Sequence, residues 1–142
     1  MGATRDIHCT ALLLGLALAC TSKGPSMKPQ QTPSTRLALE FARAMASDDA
    51  ASAHALLSSH LKSVRTPEQL AAEYKEMVAY GSGAPTTIQV MTTMDTWPDK
   101  QPSDVEWVYV ALANDTYSEA VTVVVSQEES RLVIRSVEWG RP

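Results

Sequence analysis

The apolar positions of the chain change their spacing once, near Pro85. Before Pro85 they recur at helical intervals, and after it they alternate with polar positions, as strand residues do. The first part predicts three helices, each with one apolar stripe for burial. The stripes contain Leu37, Phe41, Ala44 and Met45 in the first helix, Ala53, Leu56, Leu57 and Leu61 in the second, and Leu70, Tyr74, Met77 and Val78 in the third.

Capping residues mark the ends of these helices. Ser34 and Thr35 can cap the first, and residues 47–49 end it and begin the second, which is predicted over 50–61. The third starts at Thr66 and Pro67, where Gln69 is placed to complete a capping box. The glycine- and proline-rich segment 81–85 ends the third helix.

The second part predicts four strands, over residues 87–95, 105–113, 117–127 and 131–139. Short polar links join the second strand to the third and the third to the fourth, so these neighbours must be antiparallel. The fold class expected is therefore α+β, with about three N-terminal helices packed on a four-stranded antiparallel sheet.

The N-terminus predicts export. An apolar run over residues 11–19 ends at Cys20 and is too short to span a bilayer. Residues 16–20, LALAC, resemble the lipobox of bacterial lipoproteins, with Ala17 standing where that pattern prefers leucine. The resemblance implies a signal peptide over 1–19 and a lipid on Cys20. An ordinary cleaved signal, an uncleaved anchor and a buried cytosolic cysteine are the alternatives.

Residues 20–33 follow as the lipidated cysteine and a tether rich in proline, serine and glutamine, and residues 34–142 have the length of one domain. Cys9 lies in the leader, so the predicted domain contains no thiol and must be stabilised by packing alone. The whole chain carries a formal net charge of −4. With no basic face in the sequence, nucleic acid is not an expected partner.

The helices-then-strands order resembles the nuclear transport factor two-like superfamily, also called the cystatin-like or SnoaL-like α+β cone. The segments LALEFARAMASDDAASAHALL and VTVVVSQEESRLVIRSVEW carry the resemblance. It implies a strongly curved sheet that wraps the helices into a cone, whose open end can be a pocket. The superfamily includes isomerases, dehydratases, polyketide cyclases, binding modules and lipoproteins, so the resemblance does not select a function.

Four residues are candidates for such a pocket, namely His54, Tyr74, Trp107 and Tyr109. His54 or His60 meeting Tyr74 would give the one polar dyad that the sequence offers an enzyme. The two histidines are six residues apart and do not share a helix face, so no metal site is expected. Phosphate loops and nucleophile motifs are missing, and no cofactor is expected.

The function expected is a lipid-anchored protein of the bacterial cell envelope whose domain binds a ligand or a protein without catalysis. Its contact with the membrane would be the lipid on Cys20, in the outer membrane and facing the periplasm. Because Trp107 and Tyr109 alternate with other apolar residues, both faces of their strand are apolar, which favours a homodimer or an envelope protein partner through the sheet. A small isomerase or hydrolase and an envelope immunity or inhibitor protein remain the alternatives.

Overall fold

The computed structural model describes residues 30–141. The predicted leader, Cys20 and most of the tether lie outside the described residues. Four helices precede four strands, in agreement with the predicted α+β class. Their bounds are α1 Pro33–Ala46, α2 Ala50–Ala55, α3 Ser59–Val64, α4 Pro67–Met77, β1 Thr87–Met94, β2 Asp104–Ala113, β3 Ser118–Glu128 and β4 Arg131–Trp139.

The helix predicted over 50–61 is two short helices. The chain leaves the helical path at Leu56 because it pairs there with the edge of β4. Ser58 donates its backbone N–H to the carbonyl of Ile134 at 2.8 Å, and Ile134 donates to the carbonyl of Leu56 at 2.9 Å. Ser58 then caps α3 through its hydroxyl oxygen, which accepts from the backbone of Leu61. This break places a single isolated bridge, between Leu57 and Ile134, beside β4.

The other helix boundaries are close to those predicted. α1 begins at Pro33 and is capped by Thr32, which precedes the predicted Ser34 cap. The capping box predicted at the start of α4 is confirmed, with Thr66 and Gln69 each bonding the other's backbone. The prolines in the first turns of α1 and α4 cost no hydrogen bond there.

The sheet is an antiparallel meander in the order β1-β2-β3-β4. Its register pairs Val110 with Val121 and Val123 with Val137. Register shifts interrupt every strand pair, between Val90 and Thr92 in β1, at the start of β2, and where β3 passes Arg135 of β4. Such bulges increase local twist, which supports the curvature that a cone requires.

The core lies between the helices and one face of the sheet. Phe41 of α1 and Leu70 of α4 are fully buried against the alternate residues Val108 and Val110 of β2. The opposite face of the sheet carries Trp107 and the residues aligned with it, and we call it the outer face. Its principal members are Met94, Trp107, Tyr109, Ala111, Ala120, Thr122 and Val124.

Within residues 30–141, no helix has both the length and the apolar character needed to cross a bilayer.

Candidate functional site

The interior of the cone is occupied by its own side chains. Sixteen buried residues form a single apolar cluster between helices and sheet, and Phe41, Leu57, Leu70, Leu112 and Ile134 are its largest fully buried members. Every buried side-chain nitrogen or oxygen in the described part of the chain has a hydrogen-bond partner. The interior therefore presents apolar packing and satisfied polar groups rather than free acids or bases.

Tyr74 lies at the edge of this interior and is 9% exposed. Its ring meets the ring of Trp139 edge-on, with 5.9 Å between centroids. Burial raises the pKa of Tyr74, and the neighbouring phenol of Tyr117 raises it further. A phenol with a raised pKa stays protonated at neutral pH, so Tyr74 can donate a hydrogen bond but cannot serve there as a base.

The two histidines are not joined to Tyr74. His54 is half-buried, and its Nε2 atom lies 2.9 Å from the backbone oxygen of Arg65, just before α4. His60 is exposed on α3. Among residues 30–141 no hydrogen bond links either imidazole to the phenol of Tyr74. The histidine–tyrosine dyad that the sequence offered is therefore not formed in this arrangement.

Trp107 and Tyr109 lie on the outer face, away from Tyr74 and His54. Their rings are stacked with an interplanar angle of 7° and 6.1 Å between centroids. Both side chains are half-buried, and Met94 next to Trp107 is 38% exposed. The four candidate pocket residues thus occupy three separate places. Trp107 and Tyr109 form a surface and do not line the interior of the cone.

An acidic cleft of about 380 Å³ lies where α4 meets the end of β4. Its walls include Glu73, Glu76, Glu119 and Trp139. The indole N–H of Trp139 donates to Glu73 at 2.7 Å, and Glu73 also lies 3.5 Å from the guanidinium of Arg65. Two of the residues that line the cleft are thus already engaged with each other. In the part of the chain that the structure describes, no three histidine, cysteine or carboxylate groups converge as metal ligands would.

The sequence pattern does not predict the buried ion pair that lies on the outer side of the sheet. The carboxylate of Asp104 at the start of β2 is fully buried, and Arg135 of β4 binds it through Nε at 2.6 Å and Nη2 at 2.7 Å. Ser126 of β3, which lies between them, donates its hydroxyl to the same carboxylate. The one available signal was Arg135 itself, a charged residue inside the apolar segment of β4. The sequence could not place Asp104 beside it because the register depends on two bulges.

Comparisons with known proteins support the fold. No family model matches the sequence. No curated protein matches it either. A solved structure from Campylobacter jejuni, described provisionally as an NTF2-like transpeptidase, superposes on this chain with a TM-score of 0.53 at 14% sequence identity. The match covers 74% of this chain and 99% of the Campylobacter chain. At that identity the likeness extends to the fold alone. The helices, the antiparallel meander and this likeness together show that the domain has an NTF2-like fold, that of nuclear transport factor two.

Proposed function

We propose that this protein is lipid-anchored in the bacterial cell envelope and that its NTF2-like domain acts by binding rather than by catalysis. The outer face of the sheet is the binding surface, and its occupant is a second copy of the chain. The observation that carries the proposal is the stacked pair Trp107 and Tyr109 on that face, outside a cone whose interior is filled.

The state of the interior favours binding over catalysis. General acid–base catalysis requires a group whose pKa lies near the working pH and which can reach a substrate. The pKa of Tyr74 is displaced upward, away from that range. The imidazole of His54 is engaged with the backbone of Arg65. Tyr74 is therefore not poised to act as a base, and the packed core leaves the substrate of such a reaction little space between helices and sheet.

The outer face has the chemistry of a protein interface. Aromatic residues and methionine are enriched in interface centres, and Trp107, Tyr109 and Met94 lie side by side here. Ala120 and Val124 of the neighbouring strand are buried beneath this layer. Unlike the helix-covered face, this surface has no covering helix or strand among residues 30–141. The apolar surface of Trp107 and Tyr109 that stays in contact with water is unfavourable, and association would remove it from water.

Charge and area both favour a second copy as the occupant. Glu138 and Arg135 are the charged residues of β4 at this face, and Arg135 is neutralised by Asp104, so self-association brings little like charge together despite the net charge of −4. Four strands spaced about 4.8 Å apart and about eight residues long cover about 500 Å². Two such faces bury about 1,000 Å² together, the lower limit of a specific interface.

Lipid attachment is tested by metabolic labelling. Cells expressing the full chain and given radiolabelled palmitate are expected to produce a labelled protein in the membrane fraction. Cys20→Ala removes the acceptor sulfur and should abolish the label while leaving the domain folded. An unlabelled protein of full length in the cytosol would contradict the anchor, and label on the Cys20→Ala protein would contradict its position.

Self-association is tested by sedimentation equilibrium of the purified protein. A reversible dimer is expected, and Trp107→Lys should convert it to a monomer because a lysine at the centre of the face would be buried unpaired. Val64→Lys is the matched control, since Val64 is 59% exposed and lies at the end of α3, outside the outer face. Circular dichroism must show both variants folded. A wild-type protein that stays monomeric at every concentration, or a dimer that survives Trp107→Lys, would refute the proposed surface.

A further inference from the structure

A second concave surface lies beside the buried ion pair, where the outer side of the sheet meets the turn into α3. The cavity measures about 260 Å³. The residues that line the cavity are four serines, one histidine, Arg135, Gln127, Glu128 and Val133. The serines are Ser58, Ser59, Ser103 and Ser126, and the histidine is His60. This cavity is separate from the cone interior and from the acidic cleft at Trp139.

Arg135 is held in one orientation at the wall of this cavity. Its Nε and Nη2 atoms are fixed side-on to Asp104, whose carboxylate also accepts from the hydroxyl of Ser126 and from the backbone N–H of Gln101 at 2.8 Å. The Nη1 atom of Arg135 makes no hydrogen bond to any residue from 30 to 141. Because every buried side-chain nitrogen in that part of the chain is bonded, this Nη1 atom is accessible from outside. The end-on N–H groups of the guanidinium therefore remain available. A ligand that binds them does not have to order the Arg135 side chain, because Asp104 already holds it in place.

Further donors surround the same space. The hydroxyl oxygen of Ser58, which is 7% exposed, accepts from Leu61, so its proton is free to donate into the cavity. The hydroxyl of Ser103 makes no hydrogen bond within the described chain. The exposed ring of His60 completes the set. These residues come from β4, from the start of α3 and from the loop before β2, three segments that meet at the cavity.

The one carboxylate at the rim is already occupied. Glu128 accepts from the backbone N–H of Ser59 at 3.0 Å and from its hydroxyl. Its pKa is held below the ordinary value, chiefly by these hydrogen bonds and further by the charges of Arg131 and Lys62. Asp104 and Arg135 form a neutral pair, so Glu128 is the one unpaired carboxylate among the residues at the cavity, and the positive charges of Arg131 and Lys62 lie near it.

We propose that this cavity binds a phosphoryl oxyanion. Guanidinium groups and hydroxyls are the usual donors to phosphate oxygens, and donors arriving from several directions suit a tetrahedral anion better than a planar carboxylate. A volume of about 260 Å³ accommodates a phosphoryl group with a few waters, each of which occupies about 30 Å³. The source is either free phosphate or the phosphomonoester headgroup of a lipid. This inference does not depend on the lipid anchor.

Titration with inorganic phosphate, followed by two-dimensional NMR of the purified protein, tests the site. Saturable shifts are expected at the Arg135 Nε–H and at the amides of Ser59, Ser103 and Gln127. Ser103→Ala should weaken binding about fivefold, the effect of one lost hydrogen bond. Ser118→Ala is the matched control, because this exposed serine lies at the opposite end of β3. Glu128→Gln should strengthen binding, because it removes the one negatively charged side chain that lines the cavity.

Vesicles distinguish the two sources of the anion. The Cys20→Ala protein, which has no acyl chain of its own, is sedimented with phosphatidylcholine vesicles with or without phosphatidic acid. Cosedimentation that requires phosphatidic acid and is weakened by Ser103→Ala identifies a lipid headgroup, whereas saturable phosphate shifts without cosedimentation identify free phosphate. Shifts that do not saturate, that spread over the surface, or that are equally large in Ser103→Ala overturn the proposal, as does the absence of both kinds of binding.

Discussion

Replacing Asp104 by asparagine tests whether the buried ion pair holds the outer side of the sheet together. Asp104 lies at the start of β2, and its partners Ser126 and Arg135 lie on β3 and β4, so one carboxylate links three strands. Asparagine has nearly the same shape and leaves no cavity. The substitution therefore changes the charge and the hydrogen bonds of the site while preserving the packing around it.

The expected loss of stability follows from the hydrogen bonds. Asp104 accepts two bonds from Arg135, and asparagine can accept only one, because its amide nitrogen would face a second donor. A hydrogen bond to a charged group contributes about 1.5–3 kcal/mol. The charge of Arg135 is also left without its partner, although its side chain is 26% exposed and water can reach it. The free energy of unfolding should fall by about 3 kcal/mol, which lowers Tm by more than about 10 °C.

The pH dependence of this loss identifies its cause. Burial alone would raise the pKa of Asp104, but the hydrogen bonds from Arg135, Ser126 and Gln101 outweigh it and hold the pKa below its ordinary value of 3.8. A carboxyl group whose pKa is lowered by folding stabilises the fold above the unfolded pKa and loses that effect as the pH falls through the folded pKa. The asparagine side chain of the Asp104→Asn protein does not titrate. The difference in stability between wild type and variant should be complete at neutral pH and should shrink as the pH falls towards and below 3.8.

Urea unfolding followed by tryptophan fluorescence measures both quantities. Asp99→Asn is the matched control, since Asp99 is exposed in the loop before β2 and should leave stability unchanged. An Asp104→Asn protein as stable as wild type at neutral pH would show that the ion pair contributes nothing. A loss of the same size at neutral and strongly acidic pH would show that the variant acts through packing and not through the charge.

Three further substitutions test the fold by the same unfolding assay. Thr66→Ala removes the capping box shared with Gln69 and should cost about 1 kcal/mol; no loss would mean that water replaces the cap. Gly81→Ala would place a methyl group 2.7 Å from the ring of Tyr117 and should cost about 1–3 kcal/mol, an outcome contradicted by a protein of unchanged Tm. Phe41→Ala empties the centre of the core and should cost about 3–5 kcal/mol, so a smaller loss would show that the core around Phe41 is loosely packed.

The fold could be predicted because its signals are local. The change of period at Pro85 separates helices from strands, and the cap at Thr66 fixes the start of α4. The break between α2 and α3 could not be predicted in this way. Leu56 and Leu57 continue the helical pattern of the sequence, but the edge of β4 offers their backbone a better set of partners. A tertiary hydrogen bond here overrides a weak local preference.

The sites were harder to predict because they depend on register. The alternation of side chains along β2 correctly places Trp107 and Tyr109 on one face of the sheet and Val108 on the other. Because both faces are apolar, the alternation cannot show which face the helices cover. Asp104 and Arg135 are 31 residues apart in sequence and meet only because bulges shift both strand pairs. Single bulges move every later side chain to a new neighbour. A site whose residues come from three strands therefore cannot be predicted until the register of those strands is known.

Anchoring and self-association are expected to reinforce each other. An interface of about 1,000 Å² is at the lower limit of what a specific complex needs, so the proposed dimer should be weak in free solution. Two domains tethered to one membrane experience a much higher effective concentration, which raises occupancy without any new contact. Chemical cross-linking in cells at equal expression should therefore trap more dimer for wild type than for Cys20→Ala, and Trp107→Lys should abolish the dimer in both. If Cys20→Ala is cross-linked as efficiently as wild type, the interface is strong by itself and the membrane contributes nothing to it.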